Sequence, residues 1–376
     1  MVILLINPRN YSMQEIEHEL RFKRGTRNLS FKYLLLNRQD AVIGVLDGIE
    51  SAKISYREFA TIKRSATFDL DQYIQKNINF LTDQIEPFFI LHMPDGGEVS
   101  WELGIFMLDS PERNIVGHRT KRNVNSYDKS MIIEADRFTS RYFIRAGTQY
   151  TAEITKILAM SGIGKIRIPM YPATMLEDRE YPVGTKIHEI VNDLLKEINY
   201  NSISVDEVGF FFSEPYVEPA QREVTQRYSA QQDSIVIADF TEKLDLTSQP
   251  NVFIRVAKNL ESDNEFVSVI ENHNPTSLTS IPNRGRRIVN YEEIDNMSSQ
   301  QALDNYTRRI ALNSMSTYGY LSFQSALMPT HGSRETLFCD FPMLFDAPKK
   351  FNETSWEMDL KYDGIMSHEC RQVVEL

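Results

Sequence analysis

The chain has 376 residues, of which 41% are hydrophobic and 25% are charged, a balance typical of folded proteins and not of disordered ones. This length exceeds one ordinary core and predicts two or three domains, because domains usually contain about 100 to 200 residues. The formal net charge of -11 argues against a nucleic-acid-binding surface, since such surfaces present basic stripes that neutralise phosphates.

The apolar runs of the chain are short. Runs such as 2–6 and 33–36 fall far below the roughly 18 residues that a membrane-spanning helix needs, so we expect no membrane segment. The run 2–6 also lacks the basic flank of a secretory signal and is followed at once by Asn7 and Pro8. An edge strand or an oligomer contact is predicted there instead.

The first 145 residues are predicted to be mainly β-structure. Short segments rich in β-branched and aromatic residues alternate with turn residues. These segments are 41–46, 51–59, 65–70, 88–93, 102–108 and 131–135. Asp47-Gly48 and Asp95-Gly96-Gly97 are the clearest hairpin signals. Strands at this spacing predict an antiparallel barrel or sandwich, whose edges must either close or pair with a neighbouring subunit.

After residue 146 the hydrophobic period becomes helical. A helix is predicted over 150–160, ending at Ser161-Gly162, and 163–169 returns to a strand. A second helix is predicted where one apolar stripe runs along a single face. That stripe consists of Ile187, Ile190, Val191, Leu194, Leu195 and Ile198. We therefore predict a small α+β domain over 146–215.

The rest of the chain returns to β-structure. Strands are predicted at 234–240, 251–257, 266–271, 286–291, 318–327 and within 356–374. One helix is predicted over 299–315, where Ser298 or Ser299 can cap it. The predicted fold class is α+β, mostly β. It has two antiparallel β-barrel domains, at 1–145 and 216–376, with the small α+β domain between them.

The chain lacks the usual motifs of catalysis and nucleotide binding. The segment 161–165 (SGIGK) has neither the GxxxxGK[ST] nor the GxGxxG spacing, so it predicts a turn that ends a helix. No serine lies in a GxSxG elbow, and neither cysteine lies in a recognisable catalytic context. We therefore predict no enzyme activity, no catalytic residue, no cofactor site and no metal site.

Two groups of residues could nevertheless support chemistry. His368 and Cys370 share one strand face, with His331 and Cys339 nearby in sequence, as a pair of zinc ligands might. Because CxxC and HExxH are missing, separate buried cysteines and ordinary surface histidines are predicted. Two cysteines are also too few for a disulfide framework, which indicates folding in a reducing compartment.

The densest acidic patch is Glu15, Glu17 and Glu19, next to His18. Glycoside cleavage would require two carboxylates that converge on a cleft at a defined separation. Alternating acidic residues in a polar N-terminal segment are more typical of a solvated strand face or arm. A solvated strand face or arm is therefore predicted for this segment.

Several segments, taken in order, resemble one known family. They are 62–68 (IKRSATF), 103–106 (LGIF), 127–128 (YD), 146–148 (AGT), the 184–200 helix, 203–219, 251–253 (NVF), and 274–275 (NP) with Arg286 downstream. They are similar to the tail hub family of tailed phages, which includes the baseplate hub of contractile tails and the hub part of siphophage tail-tip proteins. None of them is a catalytic motif. Their order and the β, α+β, β layout carry the resemblance.

The resemblance implies a structural virion protein at the tail tip. Family members form a homotrimer in which two similar barrels per subunit build a ring with sixfold pseudo-symmetry, so that a hexameric tail tube can join a threefold tip. Such a ring needs heterologous contacts between subunits. It would surround the DNA path during genome ejection, and an acidic lumen would let DNA slide without specific binding.

The resemblance also implies partners and a location. The partners are a second and third copy of the chain, a distal tail or tail-tube protein, the tape measure protein, and a tail fibre or spike protein. Assembly takes place in the cytoplasm of the bacterial host. The divergence of the family gives no residue-by-residue match for an interface, so no interface residue is predicted.

Two other classes of function stay open, a tail-associated cell-wall hydrolase and a carbohydrate-binding module that uses exposed tyrosines. Many siphophage relatives continue beyond the hub into a fibre or peptidase region, whereas this sequence stops at Leu376 directly after its last predicted strand. We therefore expect receptor binding and wall digestion to belong to other gene products.

Overall fold

The structure is a computed structural model, which describes residues 5–21, 27–71, 78–116, 119–231, 234–245, 247–258, 265–295, 297 and 299–376. Its helices are α1 (Met13–Leu20), α2 (Ser130–Ala135), α3 (Tyr150–Met160), α4 (Ile187–Glu197), α5 (Ile281–Arg284) and α6 (Gln300–Ser316). The strands of the first part are β1 (Leu5–Ile6), β2 (Leu29–Leu36), β3 (Val42–Val45), β4 (Ile49–Arg57), β5 (Arg64–Asp71), β6 (Gln84–His92), β7 (Glu98–Glu102), β8 (Phe106–Val116) and β9 (Arg119–Tyr127).

Short strands accompany the helices in the middle of the chain, and longer strands return after them. The short ones are β10 (Tyr142–Ile144), β11 (Ile166–Arg167), β12 (Arg179–Tyr181), β13 (Ser204–Val205) and β14 (Phe211–Phe212). The later ones are β15 (Gln226–Ser229), β16 (Val236–Leu244), β17 (Val252–Lys258), β18 (Glu265–Glu271), β19 (Val289–Asp295), β20 (Gly319–Ala326), β21 (Thr336–Asp340), β22 (Lys349–Asp359) and β23 (Ile365–Gln372). The chain is thus mostly β with added helices, as predicted.

One sheet of fifteen strands extends through both ends of the sequence. Its main path is β1-β7-β6-β8-β9-β5-β4-β22-β23-β20-β16. Off this path, β3 pairs with β2, which pairs with β6, and β15 pairs with β21, which pairs with β22. The early and late parts meet where β4 pairs antiparallel with β22, so that Tyr56 lies opposite Trp356. The pairing is mostly antiparallel, but β15 runs parallel to β21.

The predicted closure into two barrels is not confirmed. Among the described strands, the hydrogen-bonded pairs form an open path and not a ring. The pairing of β4 also does not fit a barrel made of the first 145 residues alone. One edge of β4 pairs with β5, but its other edge pairs with β22 and not with another N-terminal strand. The sequence patterns identified most of the strands but did not contain the partner of each strand.

The core of the large sheet is shared by residues that are far apart in sequence. In β5, buried and partly exposed residues alternate, and Phe68 and Leu70 are fully buried. Phe68 packs edge-on against Phe106, with ring centroids 6.0 Å apart. The same cluster contains Trp356 and Met358 of β22. Burial of these side chains therefore joins the first part of the chain to the last.

The predicted stripe of α4 forms the centre of a second core. All the predicted stripe residues are buried, and Ile190, Val191, Leu194 and Leu195 are fully buried. They pack with apolar residues of α3, including Ile157. The predicted helix 150–160 is therefore confirmed, and the helix predicted within 184–200 is confirmed as α4, which is three residues shorter at each end.

The predicted helix near the C-terminus is also confirmed, as α6. Ser299 is the N-cap, and its side chain accepts a hydrogen bond from the Ala302 amide. One face of α6 covers a separate three-stranded sheet in which β17 lies between β18 and β19. Phe253 of β17 packs there against Ala311 and Met315.

Three local predictions are wrong. Residues 131–135 form part of the helix α2 and not a strand, and Asp128 accepts hydrogen bonds from the amide and hydroxyl of Ser130 where the chain turns into this helix. Asp47-Gly48 is not a hairpin turn, since β3 pairs with β2 whereas β4 pairs with β5 and β22. The predicted strand 102–108 is interrupted, because β7 ends at Glu102 and β8 begins at Phe106.

None of the helices in the described part of the chain is long and apolar enough to cross a lipid bilayer. Of the predicted strand 2–6, only Leu5–Ile6 lies within the described residues. It pairs antiparallel with β7.

Leu194 offers a direct test of the second core. We expect Leu194→Ala to lower the free energy of unfolding by about 2 to 5 kcal/mol, because it removes a fully buried side chain and leaves a cavity. Glu189→Ala is the matched control, since Glu189 is exposed on the same helix. Urea unfolding followed by circular dichroism measures both, and equal midpoints for the two variants would contradict this packing.

Candidate functional site

A buried arginine lies where three parts of the chain meet. Arg64 begins β5 and is only 2% exposed. Its Nη1 donates a hydrogen bond of 2.9 Å to the carbonyl oxygen of Leu103, and its Nη2 forms an ion pair with Glu207, which is also buried. A buried charge is stable only when it is paired and hydrogen-bonded, so these contacts fix the segment that carries Glu207 against the large sheet.

Two further contacts extend this arrangement. The Arg64 amide donates to Asp128 Oδ2 at 2.9 Å, and the guanidinium lies over the Trp356 ring at 5.6 Å from its centroid. Burial raises the pKa of Asp128, although hydrogen bonds from Ser130 and Arg64 oppose this effect. We call the set Arg64, Leu103, Asp128, Glu207 and Trp356 the Arg64 junction.

Gly104 provides space for the Arg64 junction. Its φ of +132° is a conformation that L-residues rarely adopt. A Cβ at this position would lie 2.9 Å from Phe106 Cζ and 3.1 Å from Arg64 Cδ. The glycine therefore both breaks the strand pattern and admits the arginine side chain.

The Arg64 junction brings together several segments that carry the resemblance. Residues 62–68, 103–106, 127–128 and 203–219 each contribute to it or adjoin it. The sequence predicted no role for Arg64. A signal was present, because Arg64 occupies an inward position of a strand whose other inward residues are apolar.

A second buried polar cluster lies in the C-terminal part of the large sheet. Glu353 of β22 accepts hydrogen bonds from two histidines, His331 Nδ1 at 2.7 Å and His368 Nδ1 at 2.6 Å. The other ring nitrogens contact hydroxyls, with Tyr228 Oη 2.7 Å from His331 Nε2 and Ser325 Oγ 2.8 Å from His368 Nε2. The side chains of Glu353, His331 and His368 are each at most 1% exposed. We call these five residues the histidine–glutamate cluster.

Counting hydrogens gives the charge state of this cluster. Ser325 also contacts the Ala326 carbonyl at 2.9 Å, so five contacts each require one hydrogen. Two hydroxyls and two neutral imidazoles supply only four hydrogens when Glu353 is ionised. One additional proton satisfies every contact and makes one histidine an imidazolium. The cluster is then electrically neutral, which is the state that burial favours.

The pKa directions agree with an ionised Glu353 but are opposite for the two histidines, because burial lowers the pKa of His368 whereas the contacts of His331 with Glu353 raise its pKa. Burial opposes ionisation of Glu353, but the charge of His331 and hydrogen bonds from both histidines hold its pKa at about 2. Burial alone would lower the pKa of His331, but the charge of Glu353 and its hydrogen bond raise it above the ordinary value. The proton belongs to the coupled set of groups and not to one side chain.

The histidine–glutamate cluster corrects one prediction and extends another. His331 and His368 are buried, and not surface histidines as predicted, because Glu353 and two hydroxyls satisfy their ring nitrogens. Cys339 and Cys370 are buried and unpaired, as predicted. The three side chains His331, Glu353 and His368 converge closely enough to hold a metal ion. In this structure their nitrogen–oxygen distances are those of hydrogen bonds, so the three side chains form a hydrogen-bonded network.

The N-terminal acidic patch lies on a helix, so the predicted strand face or arm is wrong. Ser12 and Glu15 form a capping box at the start of α1, a Ser-x-x-Glu signal that the sequence contained. Hydrogen bonds from the Ser12 hydroxyl and amide lower the pKa of Glu15. Glu17 is paired with Arg21, and Glu19 with His18. A glycosidase needs a carboxylic acid with a raised pKa, which Glu15 does not provide.

The segment 161–165 ends α3, as predicted. Gly162 has a φ of +78°, and its amide donates to the Ala159 carbonyl at 3.0 Å. These contacts satisfy the end of a helix, so the Gly162 amide is not available to a phosphate.

Comparison with known proteins gives matches by structure only. No known protein-family profile matches the chain, and no curated protein sequence matches it. The tail protein from Neisseria meningitidis MC58 has a TM-score of 0.66 at 7% identity, with 91% of this chain and 97% of that chain covered. The 43 kDa tail protein of prophage MuSo2 from Shewanella oneidensis has a TM-score of 0.65 at 10% identity, covering 90% and 98%.

A third solved structure shows the same likeness. Prophage tail protein gp18 from Listeria monocytogenes EGD-e has a TM-score of 0.55 at 12% identity, with 90% of this chain and 94% of that chain covered. At such low identities the likeness establishes the fold alone. The chain has the fold of phage and prophage tail proteins, so the resemblance predicted from the sequence is confirmed at the level of the fold.

The Arg64 junction predicts that replacing Arg64 alone destabilises the protein more than replacing Arg64 and Glu207 together. We expect Arg64→Met to lower the free energy of unfolding by about 3 to 5 kcal/mol, because it leaves Glu207 buried without a partner. The double variant Arg64→Met/Glu207→Leu should recover part of this loss. Lys53→Met is the control, since it breaks an exposed ion pair with Glu357 that contributes at most about 1 kcal/mol. If denaturant unfolding shows the same loss in free energy of unfolding for Arg64→Met and Lys53→Met, the role given to Arg64 is contradicted.

The histidine–glutamate cluster predicts a pH dependence. Because folding lowers the pKa of Glu353 to about 2 from its ordinary value of 4.5, its contribution to stability is present above about pH 4.5 and is lost as the pH falls toward 2. We expect Glu353→Gln to be less stable at pH 7 and to lose less stability over that acid range. Thermal melts at pH 7, 5 and 3 measure this difference. If the melting temperatures of the wild type and Glu353→Gln fall in parallel as the pH is lowered, folding does not lower the pKa of Glu353.

Proposed function

We propose that the protein is a tail hub, a structural virion protein that forms a homotrimeric ring at the tail tip. In this proposal the ring joins the hexameric tail tube to the tip and surrounds the DNA exit path during genome ejection. The observation that carries the proposal is the fold likeness to phage tail proteins over nearly the whole of both chains, 91% and 97% in one case. A shared tail domain alone would not account for such coverage.

We propose the division into domains at 1–145, 146–215 and 216–376. A core drawn only from residues 133–211 supports a separate central unit. The two flanking β-regions are proposed to be barrel-like halves, joined in one subunit through β4 and β22. Strand edges that stay open within a subunit then become contacts between subunits, which agrees with the open path of the large sheet.

One exposed edge supports this idea of subunit contacts. β3 pairs with β2, and no second partner is present among the described strands. Its apolar side chains are nevertheless exposed, at 58% for Val42, 53% for Ile43 and 51% for Val45. An exposed apolar edge strand is prone to pair with another chain. We propose β3 as part of the surface between subunits.

The proposed ring also has to let DNA pass. The net charge of -11 supports a lumen that repels phosphates, so that DNA passes through it without specific binding. The proposed neighbours are a distal tail or tail-tube protein, the tape measure protein, and a tail fibre or spike protein. The proposed location is the virion tail tip, after assembly in the cytoplasm of the host.

Two alternative functions would give different results. A cell-wall hydrolase would digest peptidoglycan and lose this activity when one carboxylate or cysteine is changed. The acidic patch does not favour that alternative, because hydrogen bonds hold the pKa of Glu15 low. A carbohydrate-binding module would bind glycans through exposed aromatic residues such as Tyr291 and Tyr362, whose exposed fractions are 56% and 61%.

The hub proposal predicts self-association that depends on β3. Sedimentation velocity of the purified protein should give a trimer, and negative-stain images should show threefold rings with a central opening. Ile43→Lys should shift the protein toward monomer without lowering its melting temperature, because it places a charge on the exposed edge.

Leu176→Lys is the matched control, since Leu176 is 69% exposed outside this edge. It should leave the trimer intact. A wild-type protein that stays monomeric and also fails to bind a tail-tube protein contradicts the hub proposal. Equal dissociation by both lysine variants would exclude β3 as the specific contact.

A further inference from the structure

The histidine–glutamate cluster joins three separate segments of the C-terminal part. Glu353 and His368 lie on the neighbouring strands β22 and β23, and His331 lies in the connection between β20 and β21. One ligand atom from each of these three side chains lies within 4.8 Å of the other two. Imidazole nitrogen and carboxylate oxygen are donors that Zn²⁺ and related transition metal ions accept. The cluster therefore has the donor set of a metal centre.

Four donor atoms of the cluster face one another. The two oxygens of Glu353 contact different histidines, with Oε2 2.7 Å from His331 Nδ1 and Oε1 2.6 Å from His368 Nδ1. One ion bound by both oxygens and both Nδ1 atoms would have the four ligand atoms that are usual for Zn²⁺. Two ligands of one tetrahedral Zn²⁺ lie roughly 3.3 Å apart when each bond is about 2.0 Å long. Binding would therefore require only a small separation of the histidines from Glu353.

The hydroxyl of Ser325 fixes the tautomer of His368. Ser325 Oγ donates its only hydrogen to the Ala326 carbonyl at 2.9 Å, so it accepts a hydrogen bond from His368 Nε2 at 2.8 Å. A neutral His368 with its hydrogen on Nε2 presents a lone pair at Nδ1. This lone pair faces Glu353 Oε1 at 2.6 Å. Two acceptors lie so close only when a proton or a metal ion lies between them.

A metal ion satisfies the cluster without an additional proton. As a hydrogen-bonded network, the cluster needs five hydrogens, whereas two hydroxyls and two neutral imidazoles supply four. An ion replaces the two contacts of Glu353, and the three contacts that remain need only three hydrogens. Both histidines are then neutral, which is the form in which imidazole binds metal ions.

A second buried carboxylate favours a divalent ion over a single proton. Glu335 is 6% exposed, and its Oε1 accepts the amide of Gly332, the residue after His331, at 3.0 Å. Its backbone carbonyl accepts the Glu353 amide at 2.9 Å. Among the residues that the structure describes, no ion pair to Glu335 is present. With both carboxylates ionised, one proton leaves a charge of about -1, whereas a divalent ion gives neutrality, which burial favours.

The surroundings of the cluster are those of a closed structural site. The rings of Tyr228 and Phe323 lie 5.1 Å and 4.4 Å from the His368 ring, between centroids. The hydroxyls of Tyr228 and Ser325 contact the Nε2 atoms of the two histidines. Histidines that bind metal ions usually have such an outer partner, which fixes the orientation of the ring. An ion in a closed site binds as the chain folds, so its binding free energy contributes to stability.

We propose that His331, His368 and Glu353 bind one structural transition metal ion of the Zn²⁺ type. The ion fixes the connection between β20 and β21 to the strands β22 and β23. The hydrogen-bonded network and the metal centre are alternatives for the same side chains, in which either a shared proton or the ion lies between Glu353 and His368. The missing CxxC and HExxH motifs gave no sign of this site, because its ligands are 22 and 15 residues apart in sequence.

Zinc is the probe for this site. The full chain, without an affinity tag, is refolded from denaturant with Zn²⁺, Mg²⁺ or a chelator and then separated from free metal by gel filtration. Mass spectrometry measures the retained metal, and thermal unfolding measures stability. We expect one zinc per chain and a higher melting temperature after refolding with Zn²⁺ alone, because Mg²⁺ requires oxygen ligands. Refolding with Co²⁺ should give the visible absorption of a tetrahedral site.

Two variants and one control locate the bound zinc. His368→Gln should lose it. Ser325→Ala keeps all three ligands and should weaken zinc affinity about 10- to 100-fold, because it removes the partner that orients His368. His92→Gln should retain one zinc per chain. It is the matched control, since His92 also lies between a hydroxyl and a carboxylate but is 28% exposed.

The results that overturn the proposal are distinct. A wild-type protein that retains no zinc, and that melts at the same temperature with Zn²⁺ and with chelator, excludes a metal site. Equal zinc affinity in the wild type, His368→Gln and Ser325→Ala shows that zinc binds elsewhere and overturns the proposal as well. If His368→Gln does not fold, the cobalt spectrum of the wild type and the zinc affinity of Ser325→Ala decide the question.

Discussion

The burial of the Arg64 guanidinium is the constraint on which the arrangement of the parts depends. A charged group that is 2% exposed must find acceptors, and here they come from Leu103, Glu207 and the face of the Trp356 ring. These groups belong to the connection between β7 and β8, the connection between β13 and β14, and β22 of the large sheet. Apolar packing alone would tolerate sliding between these parts. A directional ion pair and hydrogen bond fix one relative position, at the cost of removing two charges from water.

The same principle recurs in the C-terminal half. Glu353 lies between two imidazoles inside a shell of aromatic side chains, and His368 stacks on Phe323 with ring centroids 4.4 Å apart. A satisfied polar network in a core specifies register, because a strand shifted by one residue would leave the carboxylate without donors. The two buried networks therefore give a mostly apolar sheet a unique arrangement. This precision suits a protein whose proposed role is to match the geometry of its neighbours.

The sequence predicted those elements whose pattern is local. The helices α3, α4 and α6 each carry an apolar stripe, so the limits of α3 and α6 were predicted to within one residue and those of α4 to within three. The pattern failed for 131–135, where five residues are too few to separate a helical from a strand period. It also could not predict that β4 pairs with β22, or that Glu353 satisfies His331 and His368, because those partners lie far apart in sequence. Long-range pairing depends on the whole fold.

The fold likeness to tail proteins and the exposed β3 edge together support a protein that completes its sheet edges by assembly. The central claim is that three copies form a ring on the tail axis. Cryo-electron microscopy of assembled tails that contain this protein tests it most directly. A reconstruction of the tail tip should place three copies around the axis, directly below the hexameric tube and surrounding an open channel. Six copies, a position away from the axis, or a tip that lacks the protein would contradict the hub assignment.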